Sequence, residues 1–398
     1  MSAGTVEAGH DRAPPARLLT MLALLWLSGA ALRLTVLGVP PVVPRLHEAL
    51  HISETQLGIL SSLPSLLFSA AAVPGSLLIA RFGAVPTLVT GLLLNAAGSA
   101  LRGAAPGVPA LYAATILMGF GVALMQPAMP PLARAWLPRR IGFATAIYGN
   151  GLLLGEVLVV ALTIPLVLPL VGGSWRWNFV AWAVPVLVTA LLVAVLAPRA
   201  AKASVAAPPL RWWPDWRSGL IWRLGLMLGS VNSIYFVTNN FLPDYLTAAG
   251  QKDLIGAGLT ALNLAQLPAS FLMLAFAGRL ARRRSAYVAA GGLTLVALLG
   301  MVSSGGLWIV FWVGVLGFAT AILLILSLAL PPLLSKPEDV HRTSAAMFTI
   351  SYMLAVVTPI VGGWLWDRTG LAVAGFAPIV VCGLAIGGLA ATIDFRRH

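Results

Sequence analysis

Hydrophobic residues follow one another along this chain in long runs, and polar residues are concentrated in the short segments between the runs. A helix needs about 20 apolar residues to cross the hydrocarbon core of a bilayer. Apolar runs of this length form helices, because lipid offers no hydrogen-bond partner to an open strand edge. We therefore predict twelve membrane-spanning helices, spans 1 to 12, over residues 18–40, 56–80, 84–102, 109–133, 142–170, 177–197, 218–243, 254–278, 286–303, 307–333, 343–366 and 371–393.

The composition excludes a soluble protein of two or three domains, which the length of 398 residues alone would allow. Apolar residues make up 59% of the chain and charged residues only 9%. An ordinary globular protein carries roughly 25% charged residues, so this chain has too few charges to cover a surface that faces water. The single cysteine, Cys382, excludes an internal disulfide and a multi-cysteine metal site. We expect no cofactor.

The basic residues are distributed unevenly between the two ends of the predicted spans. If both termini and every second loop share one face, that face carries eighteen of the 25 Lys and Arg residues, while Arg33 and Arg223 lie within spans. This asymmetry places the termini (1–17 and 394–398) in the cytoplasm, predicts a multi-pass inner-membrane protein, and explains the net charge of +13 without nucleic acid. The opposite face is predicted to carry only Arg45, Arg102, Arg176, Lys252 and Arg368.

Four short matches recur at offsets of 201 to 204 residues and divide the chain into two halves. The matched pairs are Leu63-Pro64 with Leu267-Pro268, Pro130-Pro131-Leu132 with Pro331-Pro332-Leu333, Arg81 with Arg283, and Pro41 with Pro243. We predict one six-helix bundle over 18–197, a second over 218–393, and a cytoplasmic linker over 198–217. The linker end, with Trp212, Trp213 and Trp216, either lies along the membrane face or is a plain tether.

Twelve spans in two repeated halves, with a basic loop after spans 2 and 8, resemble the major facilitator superfamily. Its loop signature is Gly-x-Leu-x-Asp-Arg-x-Gly-Arg-Arg. The loop after span 2 keeps Arg81 and Gly83, but Ala80 stands where the signature has Asp. The resemblance implies the major facilitator fold and a loop that helps to latch the two halves, here without its acidic residue.

Two further segments are similar to the same signature. The loop after span 8 has Arg282 in the place of the Asp, followed by Arg283. Residues 363–370 after span 11 fit the first eight positions, with Asp367 and Arg368 at the centre, but lie on the opposite face.

Within the superfamily, the first half is similar to the cyanate and 2-nitroimidazole permease group. That group carries Asn-Leu-Arg in span 1, followed by a proline. Here Ala31 replaces the Asn, Arg33 is kept, and Pro40 and Pro41 follow. Residues 173–177, Gly-Ser-Trp-Arg-Trp before span 6, also fit. The resemblance implies a permease without naming its solute.

Arg33 is the most informative single residue. It lies about sixteen residues into span 1, or roughly 24 Å from the cytoplasmic side at 1.5 Å per residue. A guanidinium there costs about 2.5–3.5 kcal/mol on insertion scales. A bound anion, an internal carboxylate or water in a cavity must offset that cost. We predict that Arg33 contacts an anionic or planar polar solute, with a purely structural ion pair as the alternative.

Glu156 is the acidic residue in the interior of a span, fourteen residues into span 5. Burial disfavours the ionised form of a lone carboxylic acid, which makes Glu156 a candidate proton carrier. The alternative is a fixed salt bridge to Arg33, which would leave both residues charged.

Polar and aromatic residues cluster in five spans and are candidates for lining a central cavity. In span 7, Asn232, Tyr235 and Asn239 share one helix face, and Tyr235 is expected to face Arg33 across the pseudo-two-fold axis. Each amide has an interhelical hydrogen bond as its alternative role. The other candidates are Gln126, Tyr148, Asn150, Asn240, Asn263, Gln266 and Tyr352.

Small residues and prolines punctuate the spans. Gly151 and Gly155 are predicted to pack span 5 closely against a neighbouring helix. The prolines near span ends, among them Pro130, Pro131 and Pro243, either bend helices during gating or terminate them.

One motif points to a different class of protein. His47-Glu48-Ala49-Leu50-His51 matches the His-Glu-x-x-His zinc protease signature. No third ligand accompanies it, so a membrane zinc protease is only a distant alternative.

The sequence thus predicts an all-α, monomeric, non-enzymatic secondary active transporter for a small anionic or strongly polar organic solute, such as a cyanate-, carboxylate- or nitro-like compound. Its partners would be that solute, the bilayer and, with coupling through Glu156, protons. Symport, uniport and efflux stay open. The alternatives are an efflux pump of the same fold and a passive channel, which is disfavoured because no ring of like polar residues repeats in both halves.

Overall fold

In the described part of the computed structural model, twelve helices are long and apolar enough to cross a membrane, which confirms the predicted number. The structure describes residues 15–52, 54–198 and 211–395. The first half (spans 1–6) contains the helices Pro15–Leu34, Glu54–Phe82, Ala84–Gly103, Val108–Trp136, Ile141–Leu162 and Trp175–Leu196. The second half (spans 7–12) contains Gly219–Ala248, Ile255–Leu264 with Gln266–Leu280, Arg284–Ser303, Leu307–Leu328 with Leu330–Leu334, Val340–Thr369 and Ala377–Thr392.

Short helical segments connect several spans, and the described residues contain no strand. They are Val36–Gly38, Pro40–Val42, Val43–Leu50, Pro138–Arg140, Thr163–Val167, Leu168–Leu170, Lys252–Leu254, Pro337–Asp339 and Ala372–Phe376. Most of the predicted N-terminal segment, residues 199–210 of the predicted linker and the last three residues lie outside the described residues.

Span 1 is shorter than its apolar run. Its helix ends at Leu34, before the predicted end at residue 40. Two short turns follow, Val36–Gly38 and Pro40–Val42, and the second contains Pro40 and Pro41. Proline cannot donate the N–H that a continuing helix needs. The early end places Arg33 in the last turn of the helix, where the unpaired carbonyl groups favour a positive charge.

The prolines of the spans behave in two ways. Pro130 and Pro131 lie inside the helix of span 4, and Pro243 lies inside the helix of span 7, so termination is wrong at these positions. In span 10 the long helix ends at Leu328, and a short second helix begins just before Pro331.

Glycines bring spans 1 and 5 into backbone contact, as predicted. A Cβ atom added to Gly151 would lie 2.2 Å from the carbonyl oxygen of Trp26, and one added to Gly155 would lie 2.6 Å from that of Ala30. Only glycine leaves room for so close an approach. This packing sets the distance between the polar residues that the two helices carry.

The two halves meet where spans 2 and 5 of the first half pack against spans 11 and 8 of the second. Ser69 Oγ donates to the Thr349 carbonyl at 3.0 Å, and Thr349 Oγ1 donates to the Ser69 carbonyl at 2.8 Å. We call the face at which span 1 begins and span 12 ends the terminal face.

Further contacts join the halves at the terminal face. Arg134 at the end of span 4 donates to the carbonyl oxygens of Pro332 at 2.9 Å and Ser335 at 2.5 Å. A Cβ atom on Gly142 would lie 2.8 Å from the Cα atom of Gly278, so spans 5 and 8 touch through their backbones there. These contacts hold the two halves together at the terminal face.

The described end of the predicted linker touches both halves at this face. Ser76 Oγ of span 2 donates to the Trp212 carbonyl at 2.7 Å, and His341 Nε2 of span 11 lies 3.1 Å from the Arg211 carbonyl oxygen. Trp212, Trp213 and Trp216 follow one another in ring contacts at 5.2 and 6.5 Å. This stretch therefore packs on the bundle and is more than a tether.

Candidate functional site

Arg33 and Glu156 lie next to each other between the two halves. Arg33 Nε is 3.9 Å from Glu156 Oε2, and the two side chains are 14% and 12% exposed. That distance exceeds the usual hydrogen-bond range, so the two side chains form an ion pair without a hydrogen bond between these atoms. Within the described residues, Nε of Arg33 has no hydrogen-bond partner.

The second oxygen of Glu156 is bound from span 7. The Tyr235 hydroxyl lies in hydrogen-bonding contact with Glu156 Oε1 and, at 2.6 Å, with Asn263 Oδ1 of span 8. A hydroxyl carries a single proton, so Tyr235 donates to only one of these oxygens at a time. Tyr235 thus links the Arg33–Glu156 pair to the second half. It lies on the side that faces Arg33, as its position in the repeat predicts.

An amide cluster extends this network in spans 7 and 8. Asn263 Nδ2 donates to the Leu259 carbonyl at 2.8 Å and approaches Asn239 Oδ1 at 3.4 Å. Gln266 Nε2 approaches Asn263 Oδ1 at 3.4 Å. The helix of span 8 is interrupted at Ala265, between Asn263 and Gln266. Three predicted residues, Asn239, Asn263 and Gln266, therefore form a hydrogen-bonded cluster around Tyr235 and make no direct hydrogen bond to Arg33 within the described residues.

Two small cavities adjoin at Arg33, each of about 20 Å³, which is room for a water molecule. The first, the Glu156 cavity, is also lined by Tyr235 and Gln266. The second, the Gln126 cavity, is also lined by Tyr148 and Tyr352. Four residues line both cavities, namely Arg33, Leu152, Asn232 and Leu324.

The Gln126 cavity places three predicted polar residues around Arg33. The Tyr352 hydroxyl of span 11 lies beside the guanidinium. Asn232 Nδ2 donates to Ser351 Oγ at 2.9 Å. Gln126 is 5% exposed, and its Oε1 atom has no partner within the part of the chain that the structure describes. The cavity thus holds a donor and an acceptor that both lack partners.

Larger depressions lie on the outside of the bundle. One of about 600 Å³ lies between spans 2 and 11 beside Trp212, and one of about 740 Å³ lies between spans 8 and 10. Their walls are almost wholly apolar, and exposed hydrophobic side chains such as Leu264 and Phe311 surround the second. These are surfaces suited to lipid chains. A cavity of about 240 Å³ with Asp244 and Asp367 in its wall lies at the ends of spans 7 and 11, within the second half. The polar site between the two halves is the one at Arg33.

Two predicted residues point elsewhere. Asn150 lies between spans 1, 5 and 8, where its Oδ1 accepts from Trp26 Nε1 at 2.9 Å and its Nδ2 donates to Ser270 Oγ at 2.8 Å. It lines neither cavity and acts here as an interhelical hydrogen-bonding group. Asn240 is exposed.

The residues of the loop signature lie at the two ends of the bundle, away from the cavities. Arg81 packs over the Phe82 ring at 5.4 Å, and Gly83 begins the next helix with φ of 93°, which favours glycine. Arg282 and Arg283 form the turn after span 8, and Asp367 and Arg368 lie in the exposed last turn of span 11. Arg134 donates across the halves at the terminal face.

Arg102, predicted at the end of span 3 on the face opposite the termini, lies in the last turn of that helix and is buried. It is 1% exposed at the end of span 3, donates from Nη2 to the Thr35 carbonyl at 2.6 Å and to Ser99 Oγ at 3.1 Å, and stacks over Phe179 at 4.4 Å. The carbonyl groups freed at the end of span 1 accept its protons. Asn95, Ser99 and Arg102 share one helix face, a spacing that indicates a buried polar stripe.

Asn95 completes this contact between spans 1 and 3. Its Nδ2 donates to the Ala31 carbonyl at 2.9 Å, and its Oδ1 accepts from Thr35 Oγ1 at 2.6 Å. Ala31 and Thr35 are therefore held against span 3. Arg33, two residues from each, projects from the other side of the helix toward the second half.

The His-Glu-x-x-His segment lacks the geometry of a zinc site. The helix Val43–Leu50 ends before His51, whose φ of 49° lies in the left-handed region. The His51 N–H still donates to the His47 carbonyl at 3.1 Å, but the left-handed backbone of His51 departs from the helical i, i+4 geometry that the protease signature requires. Among the described residues, no group of three potential metal ligands occurs.

Comparison with known families identifies the architecture. The model of the family described as Major Facilitator Superfamily matches residues 25–252, more than half of the chain. The proton:xylose symporter XylE, in a solved structure, superimposes with a TM-score of 0.77 at 14% identity, covering 95% of this chain and 96% of that one.

Two curated proteins of Escherichia coli (strain K12) are similar over most of their length. The 2-nitroimidazole transporter is 26% identical over 378 residues, covering 93% of this chain and 92% of the relative. The cyanate transport protein CynX is 27% identical over 355 residues, covering 88% and 91%.

Proposed function

Because this chain belongs to the major facilitator superfamily, we propose that it is a secondary active transporter that carries a small anionic or strongly polar organic solute at a site around Arg33. Relatives named for 2-nitroimidazole and cyanate support this class of solute. Both compounds are small and offer the oxygen or nitrogen acceptors that a guanidinium binds.

The observation that carries the proposal is the incompletely paired guanidinium of Arg33. Its Nε atom is buried without a hydrogen-bond partner among the described residues, 3.9 Å from Glu156. A buried charged donor left unpaired costs more than the 1–3 kcal/mol of a neutral group. An acceptor group on the solute would form a hydrogen bond with that donor and remove this cost, which stabilises the solute-bound state.

Glu156 makes solute binding depend on a proton. An anion on Arg33 would lie near an ionised Glu156, and two like charges 4 Å apart repel by about 4 kcal/mol at an effective dielectric constant of 20. Protonation of Glu156 removes that repulsion and leaves the positive charge of Arg33 for the solute. Anion and proton therefore bind together, which is the requirement for symport.

Tyr235 accommodates both protonation states of Glu156. When Glu156 is ionised, it accepts the Tyr235 hydroxyl proton. When Glu156 is protonated, its own O–H donates to the Tyr235 oxygen, and the Tyr235 proton turns to Asn263 Oδ1, which lies 2.6 Å away. In both states Glu156 and Tyr235 keep a hydrogen-bond partner, so Tyr235 can follow the change in protonation of Glu156.

Transport requires the site to face the two sides of the membrane in turn. In this structure the contacts of Arg134 and of Gly142 with Gly278 hold the halves together at the terminal face. The excess of basic residues assigns that face to the cytoplasm of an inner membrane. The state described is thus the one closed toward the cytoplasm, and rocking of the halves would break these contacts.

Calorimetric titration of the purified protein in nanodiscs tests the proposal. We expect 2-nitroimidazole or cyanate to bind to the natural protein, and Arg33→Gln to weaken the affinity by about tenfold to a hundredfold, since a charge-assisted hydrogen bond contributes about 1.5–3 kcal/mol.

The matched control is Arg223→Gln. Arg223 also lies in a span, but its side chain is exposed and donates to the Thr392 carbonyl at 2.9 Å. The control should bind the solutes as the natural protein does. Equal affinity in the Arg33 variant and the control would contradict an anion site at Arg33.

A further inference from the structure

Two residues that line the Gln126 cavity each have a buried polar atom without a hydrogen-bond partner, and the two atoms have opposite hydrogen-bonding character. Arg33 Nε is a donor and Gln126 Oε1 is an acceptor, and neither forms a hydrogen bond with a described residue, although Arg33 Nε also lies 3.9 Å from Glu156 Oε2. Gln126 lies on span 4, whereas Arg33 lies on span 1. Buried polar groups are nearly always paired, so two exceptions in one cavity indicate a ligand or a water molecule.

The backbone of span 4 adds to the acceptor character at Gln126. An α-helix pairs the carbonyl of each residue with the N–H four residues later, and Pro130 has no N–H to offer to Gln126. The main-chain carbonyl of Gln126 therefore lacks its usual helical donor. The side-chain oxygen of this residue favours a donor group on whatever occupies the cavity.

Aromatic rings form much of the remaining wall. Tyr148, Phe348 and Tyr352 line the Gln126 cavity, and the rings of Phe348 and Tyr352 lie nearly parallel, 20° apart. Such walls favour a flat, conjugated molecule over a flexible chain. Leu152 and Leu324 stand between this cavity and the Glu156 cavity, so a solute larger than water requires these side chains to move.

We infer that the site selects a flat solute with two different ends: an acceptor or anionic group that binds Arg33, and an N–H or O–H donor that binds Gln126. This inference rests on the proposed function and adds a second recognition element to it. An ion with charge but no donor occupies Arg33 alone and leaves Gln126 Oε1 unpaired.

Two nitroimidazoles that differ in a single donor test this inference. 2-Nitroimidazole carries a nitro group and a ring N–H, and 1-methyl-2-nitroimidazole carries the same nitro group without the N–H. By titration calorimetry in nanodiscs, we expect the natural protein to bind the first compound about tenfold more tightly, because methylation leaves the Gln126 acceptor unpaired.

The decisive measurement is the ratio of the two affinities in Gln126 variants. Gln126→Met keeps the length of the side chain but has no oxygen acceptor, so the ratio should fall to about one. Gln126→Glu keeps an oxygen acceptor, so the ratio should persist even though the added charge lowers the affinity for both compounds. A persistent ratio in this variant shows that the loss in Gln126→Met is due to the missing acceptor and not to a folding defect. The control is Gln251→Met, which should keep the natural ratio. Gln251 lies at the end of the bundle away from the terminal face, where its Oε1 accepts from the Gly306 N–H.

The outcomes separate this inference from the function on which it rests. If Arg33→Gln weakens both compounds but Gln126→Met leaves their ratio unchanged, the donor requirement is overturned and the anion site stands. If Arg33→Gln weakens neither compound, the proposed function falls and this inference falls with it.

Discussion

Two guanidinium groups lie buried in the first half of this protein, and their surroundings differ. Arg102 donates through Nη2 to the Thr35 carbonyl and to Ser99 and stacks on Phe179. Arg33 has a carboxylate 3.9 Å away. The Nε atom of each residue lacks a hydrogen-bond partner in the described residues. The two groups differ in the space beside them, because the Glu156 cavity and the Gln126 cavity are both lined by Arg33 and neither is lined by Arg102.

Glu156 is the residue at which pH should act. We expect the affinity for cyanate to rise as the pH falls, by up to about tenfold per pH unit, because the anion binds best to the protein that has also bound a proton. Glu156→Gln imitates the protonated carboxyl group. In that variant the affinity should be high and independent of pH, as measured by titration calorimetry across a series of buffers.

Asp244→Asn is the control for this measurement, since Asp244 is an exposed carboxylate in the last turns of span 7. It should keep the pH dependence of the natural protein. A pH response that survives in the Glu156 variant would assign the proton to another group.

At the scale of single helices, glycines decide how closely spans 1 and 5 approach, and that approach brings Glu156 to Arg33. The carbonyls of Trp26 and Ala30 occupy the space where side chains on Gly151 and Gly155 would lie. The contact of span 1 with span 3 through Asn95 and Arg102 then turns Arg33 toward the second half. Two helix contacts thus orient one functional side chain.

Gly151→Ala should separate spans 1 and 5. Its Cβ atom would lie 2.2 Å from the Trp26 carbonyl oxygen, and overpacking of this kind costs about 1–3 kcal/mol. We expect a lower midpoint of thermal unfolding in detergent and weaker solute binding.

The matched control is Gly292→Ala in span 9, where no atom lies within 4 Å of the added Cβ atom. Alanine should be neutral or stabilise that helix by about 0.5–1 kcal/mol. Similar unfolding midpoints for the two variants would show that the close packing of span 5 is not needed.

At the scale of the whole molecule, the site belongs to neither half alone. Arg33, Gln126, Tyr148 and Glu156 come from the first half, and Asn232, Tyr235, Gln266 and Tyr352 come from the second. Any rotation of the halves changes the shape of both cavities. In the proposed mechanism, solute binding and the opening or closing of the terminal face would therefore be coupled through the same interface.

A wedge at the terminal face should hold the halves apart. Gly142→Trp places a large side chain where the backbone of Gly278 lies 2.8 Å from the glycine's Cβ position. We expect transport into proteoliposomes to fall by about tenfold or more, since a shift of about 1.4 kcal/mol between two states changes their ratio tenfold. A cysteine at Leu328, in the Gln126 cavity, should react faster with a maleimide applied from the terminal face.

The labelling experiment uses Cys382→Ser, because Cys382 is the only natural cysteine. Gly387→Trp in span 12, where an added side chain meets open space, serves as the control. Equal labelling rates in the wedge variant and the control would argue against closure by spans 5 and 8.

Residue chemistry and the demands of lipid suffice to predict much of this protein. The number and order of the spans follow from the lengths of apolar runs, because an unpaired backbone is excluded from hydrocarbon. The close packing of Gly151 and Gly155 follows from their small side chains, and the pairing of Arg33 with Glu156 was one of the two alternatives raised by a charge placed deep in a span. The resemblance to the major facilitator superfamily rests on the same patterns and is confirmed.

The pattern of polar and apolar residues alone could not predict which polar side chains contact one another. Asn150 and Tyr235 are both polar residues within spans, yet one joins helices at Trp26 and the other contacts Glu156. Arg102 ends predicted span 3 with no sign in the pattern that it is buried, but the early end of span 1 offers it the Thr35 carbonyl inside the bundle. These contacts depend on the rotation and tilt of helices that are far apart in the chain, and only the packing of all twelve sets those angles.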